Sequence, residues 1–155
     1  MSEAMLPPVL SIPVAVLVES CPGVTMWQDR VWKPLAVLEE APPVPPMTRL
    51  REEDGREVWF AGTATVTLHR TDTPNYRENL TAAEPRIWVL LRPKGDAVAL
   101  AAVTVDPGEA EIFTENPHDI LEALPLPPGI AVLLASFVEQ HHVEREFHKR
   151  RRDRQ

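Results

Sequence analysis

Hydrophobic and polar positions alternate through most of the chain and change period near its last third. Ser11–Glu19 (S-I-P-V-A-V-L-V-E) is apolar and β-branched almost throughout, the pattern of a strand buried on both faces. Pro13 near its start removes one ladder donor and points to an edge position. Ser20-Cys21-Pro22-Gly23 is a turn signal, and Val31–Glu39 reads as a second strand that again carries a proline, Pro34. Residues 24–30 between them form a short helical or irregular connector. The Asp54-Gly55 pair lies between two strand-like stretches and marks a hairpin. Beyond it Ala64, Val66 and Leu68 fall on one face of a strand, with Thr63, Thr65 and Thr67 on the other. Arg86–Arg92 and Ala97–Val105 are two more strands, joined tightly through Pro93-Lys94-Gly95-Asp96.

After Val105 a helical period takes over. Asp106-Pro107 places an N-cap acid before a proline at the first helical position. Asn116-Pro117 repeats the device and predicts a short helix through Leu121, Ala123 and Leu124. A longer helix runs from about Ile130, with Ile130, Leu133, Leu134, Phe137, Val138 and His141 on one face. Strands first and helices last give an α+β class: an antiparallel sheet of about five strands, then C-terminal helices packed on one face. The expected organisation is one domain over residues 9–144 and a basic tail over 145–155.

Composition narrows the function classes. With 155 residues, 44% hydrophobic and 25% charged, the chain has the makings of one folded core. Seventeen prolines against six glycines make its connections stiff. One cysteine, Cys21, leaves no internal disulfide and no thiolate metal site of its own. Prolines interrupt the apolar N-terminal stretch, no basic leader precedes it, and no run approaches a membrane span of about 20 residues. The expectation is a cytoplasmic protein, in which the sequon Asn79-Leu80-Thr81 is a chance match.

The net charge is −7, and residues 145–155 hold six basic and two acidic side chains, leaving −11 on residues 1–144. An acidic body repels a phosphate backbone, so no nucleic-acid partner is expected. The basic residues Lys149, Arg150, Arg151, Arg152 and Arg154 suit the C-terminal end of a helix. They also suit docking onto a partner's carboxylates, with Phe147 as an apolar anchor. Trp27 and Trp32 are the tryptophans best placed for an interface, tryptophan being enriched there. His141, Glu144 and His148 share a helical stripe at i, i+3 and i+7, an edge that zinc accepts. No phosphate-binding loop, dinucleotide fingerprint or nucleophile elbow occurs, and nothing brings Cys21 and His69 together as nucleophile and base. No catalytic residue is assigned.

Four motifs stand out in combination: Pro22-Gly23-Val24-Thr25-x-Trp27, Trp32-x-Pro34, Ile87-Trp88-Val89-Leu90-Leu91-Arg92, and His141-His142-Val143-Glu144-x-x-Phe147-x-Lys149-Arg150-Arg151-Arg152. Together they resemble a small proteobacterial family, domain of unknown function 3305, over about Ile12 to Arg154. Members of that family are typically encoded near molybdenum-dependent formate dehydrogenases, and some are labelled molybdopterin-guanine dinucleotide biosynthesis proteins. The known guanylyltransferases open on a Gly-rich nucleotide loop, and Met1–Glu19 has none, so the resemblance implies context rather than an activity. It implies a non-catalytic accessory or assembly factor acting by protein contact with a formate dehydrogenase subunit or its maturation factors. Two alternatives stay open: a protein handling a cofactor such as a molybdopterin nucleotide, and a zinc-binding regulator built on the histidines.

Overall fold

The computed structural model describes residues 9–23 and 30–153, with side chains as far as His142. Seven strands form two antiparallel sheets. The first holds β1 (Val9–Pro22), β2 (Arg30–Leu38), β3 (Thr48–Glu53) and β4 (Arg56–His69), in the order β2-β1-β4-β3. The second holds β5 (Arg86–Lys94), β6 (Ala97–Thr104) and β7 (Ile120–Pro125), in the order β6-β5-β7. The α+β class holds, but the expected sheet of about five strands is divided. β3 is the first arm of the expected Asp54-Gly55 hairpin and β7 is unexpected; the division arises because β6 comes beside β4, and β7 beside β2, without a ladder at either place. A curved, barrel-like ring of strands results, with its core inside.

β1 is buried on both faces, as its unbroken apolar run requires: Val14, Ala15, Val16 and Val18 are all closed to solvent. The edge position inferred from Pro13 is correct only locally. β2 pairs with β1 from Ala15 to Pro22, so Pro13 lies in the part that has β4 alone as neighbour. Pro34 sits on the true edge strand β2, beside a register shift, where a missing donor costs no ladder bond on the outer side. Asp54 and Gly55, at φ +53° and +84°, make the two-residue turn between β3 and β4 that the sequence announced.

Three helices follow from capping and period. α1 (Thr73–Thr81) begins after a 3-10 turn at Arg70–Asp72, and α2 (Pro107–Phe113) is capped by the Asp106 carboxylate accepting from the Gly108 N–H. The helix expected through Leu121 and Leu124 is instead β7. Arg86–Leu91 of β5 had a free side, and Ile120–Pro125 supplies the pairing. α3 (Pro128–Asp153) buries Ile130, Leu134, Phe137, Val138 and His141 against the strands and α1, while the predicted face residue Leu133 remains exposed. Phe137 meets Tyr76 of α1 edge-on at 6.2 Å between ring centroids. Among the described residues no helix is long and apolar enough to cross a membrane.

Candidate functional site

The sequence-level candidates divide between two places, the hairpin end of the first sheet and the far half of α3. At the hairpin end, antiparallel register puts Ser20, Trp32 and Glu57 across from one another, with Trp59 one step along. Trp32 and Trp59 pack with ring centroids 5.8 Å apart at a tilt of 57°. Each indole donor is used: Trp32 Nε1 donates to the Asp96 carbonyl at 3.1 Å, and Trp59 Nε1 to Glu57 Oε1 at 3.1 Å. Trp32 thereby ties β2 to the β5–β6 turn and is half-buried. Trp27 lies outside the described residues.

Arg30 organises this end. Its guanidinium donates to Ser20 Oγ at 2.7 Å, to the Ser20 carbonyl at 2.8 Å and to the Gly55 carbonyl at 2.7 Å. It also stands 3.5 Å from Glu57. One planar fork therefore holds β1, β2 and the β3–β4 turn, a task a lysine ammonium cannot perform. The Glu57 carboxyl is held below its ordinary value by the Trp59 hydrogen bond, then by Arg49 and the Arg30 charge, against the opposing effect of burial. On the opposite face Glu19, 8% exposed, lies 3.7 Å from Lys33 and 3.8 Å from Arg56 and accepts from the Cys21 thiol. Cys21 is thus a packed structural thiol. It is twelve positions along β1 from Val9, whose partner is His69, a separation of about 40 Å, so Cys21 and His69 do not form a nucleophile–base pair.

On α3, His141 is buried, with its ring 4.5 Å from that of Phe137. His142 turns toward α1: its Nδ1 is 3.4 Å from Thr73 Oγ1, and Arg77 donates to its Nε2 at 3.0 Å. The adjacent histidines point to different neighbours, as their helical spacing requires. The side chains of Glu144, Phe147, His148, Lys149, Arg150, Arg151 and Arg152 lie outside the described residues, as does Arg154. Among the described residues, no group of three or more His, Cys, Asp or Glu is placed to hold a metal ion.

Two residues of the polar, turn-rich stretch after His69, neither of them assigned a site role from the sequence, hold α1 in place. Asn79, 3% exposed, donates to the carbonyls of Arg86 at 2.8 Å and Val105 at 2.9 Å, and accepts from the Arg86 N–H at 2.8 Å. Tyr76, 1% exposed, accepts from the His69 N–H at 2.9 Å. Its hydroxyl is pushed up to about 12 by burial, with Asp72, Asp106 and Glu109 adding and the His69 bond opposing. The sequence offered only a polar, turn-rich stretch; α1 buries Thr73, Tyr76 and Asn79, spaced i, i+3 and i+6, on one face.

A family model described as "Protein of unknown function (DUF3305)" matches residues 13–151. No curated protein and no solved structure matches the chain.

Proposed function

The chain belongs to the DUF3305 family, and on that premise we propose that it is a non-catalytic accessory or assembly factor working by protein–protein contact. The proposed context is a molybdenum-dependent formate dehydrogenase, the direct partner being one of its subunits or maturation factors. The observation that carries the reading is the continuity of α3. Its first half is bolted into the core through Ile130, Leu134, Phe137 and Val138. The same helix continues to Asp153, 26 residues or about 39 Å in all, through Phe147 and Lys149–Arg152. A basic helical segment continuous with a body of charge −11 is suited by charge to carboxylates on another protein.

The test is co-purification of the tagged full chain with formate dehydrogenase subunits from its native cell. Deleting residues 145–155 is expected to abolish co-purification while leaving the thermal midpoint unchanged, because the buried residues of α3 among those described lie between Ile130 and His141, all before the deletion. An unchanged pull-down overturns the role of the tail.

A further inference from the structure

We propose that the slot between β4 and β6 is a strand-acceptor groove for an extended, positively charged peptide segment of a partner protein. β3 pairs with β4 only from Arg56 to Phe60. At that point the β1–β4 register steps by one residue, from Leu17 opposite Phe60 to Val16 opposite Gly62, and Gly62 adopts φ +134°. From Gly62 to His69 β4 has only β1 as partner, and β6 has only β5. The two free edges approach within 8 Å between Cα atoms with no ladder between them. That is closer than the roughly 9.6 Å that an inserted strand needs, so a guest pairs with β4 by displacing β6 outward.

The backbone groups of that β4 edge face the slot. Pro13 has no N–H, and it fits opposite Thr65 where the pair exchanges no hydrogen bonds. That geometry turns the Thr65 N–H and C=O away from β1, and the period of two turns those of Thr63 and Thr67 the same way. Unpaired backbone groups in a row are a template for another strand, which folded proteins ordinarily block with Lys, Pro or a bulge. Gly62–His69 and Ala97–Thr104 contain no Lys, Arg or Pro, and only the irregularity at Ala101 interrupts β6.

The slot is a cavity of about 410 Å³ between Thr63, Thr65 and Thr67 on one side and Leu100–Val103 on the other. A second cavity of about 380 Å³ shares Ala101, Ala102 and Phe113 with it and prolongs it past α2. Charge selects the occupant. Asp72, Asp106 and Glu109 line the first cavity, and no lysine or arginine does. Thr63 to Thr67 span about 13 Å, so about five residues of a guest pair along β4, their basic side chains reaching the carboxylates. This inference is independent of the basic tail and stands or falls separately from it.

The probe is a fluorescent, amidated decapeptide of alternating lysine and valine, titrated into the full chain. Saturable binding with slowed hydrogen exchange at the Thr63, Thr65 and Thr67 amides is expected. A twin N-methylated on alternate amides, which cannot form a ladder, is expected to bind at least about tenfold more weakly. The Asp72→Asn, Glu109→Gln double variant, whose carboxylates hold no hydrogen bond among the described residues, is expected to lose about tenfold in affinity. Equal binding of the methylated twin, or protection confined to other segments, overturns the proposal. So does a chain whose self-association alone protects these amides, since the occupant is then a second copy.

Discussion

From Arg56 to Phe60, β4 has a strand on each side, and its neighbourhood leaves nothing to satisfy: Arg30, Glu57 and both tryptophans spend their polar atoms on one another and on nearby carbonyls. From Gly62 to His69 the same strand has one neighbour, and its outer face shows three threonines and a histidine. The first half is rich in residues usually associated with binding and is closed. The second is made of plain residues and is open. A tryptophan or arginine signals a partner only when its polar atoms remain unused, and here the unused groups belong to the backbone.

Breaking the closed half should give the largest effect. Arg30→Ala removes three hydrogen bonds donated by one cation, two of them to carbonyls, a loss of about 2–3 kcal/mol in urea unfolding. Arg30→Lys should recover only a minor part of it, because an ammonium cannot reproduce the fork. Recovery in full would show that charge, not geometry, holds the hairpin end. Acid probes the same network with a smaller effect. Because the folded Glu57 carboxyl is depressed, its contribution is complete above its ordinary value of 4.5 and is lost as pH falls through the folded value. Glu57→Gln should therefore flatten part of the decline of the urea midpoint below that pH. Asp119, depressed chiefly by its hydrogen bond from Arg92, keeps the remainder. The smallest effect belongs to the open half: Thr65→Val should change stability by no more than about 0.5 kcal/mol. A loss above about 1.5 kcal/mol in the same assay would show that the slot is packed interior and end the contrast.

Much of the fold was legible because local and global preferences agree. β1, β2 and β4–β6 followed from apolar periodicity, and the Asp54-Gly55 turn and the Asp106-Pro107 cap from turn chemistry. β7 was not legible. Asn116-Pro117 imitates a helix start, and Leu121 and Leu124 fit a helix as well as a strand. What decided was the free side of β5, a tertiary fact. The split into two sheets is likewise tertiary, since nothing in Gly62–His69 or Ala97–Thr104 states that their edges meet without pairing. Of the site, Trp32 was legible as a strand tryptophan and interface candidate, but not its hydrogen bond to Asp96, 64 residues away. The threonines of β4 were legible as one face of a strand but not as a site, because alternating Thr with Val or Leu is what any half-exposed strand shows.

Asn79 carries a consequence for how this protein can be made. Asn79-Leu80-Thr81 spells an acceptor for N-linked sugar. The amide nitrogen a glycosyltransferase would modify is the one that must reach the Arg86 and Val105 carbonyls when α1 closes. In a secretory host the enzyme would meet the chain while it is still extended, before that closure. A sugar attached then stands where the sheet has to be, so glycosylation and folding exclude each other. Production inside a compartment free of that machinery preserves the clamp, and secretion puts every emerging molecule in a race.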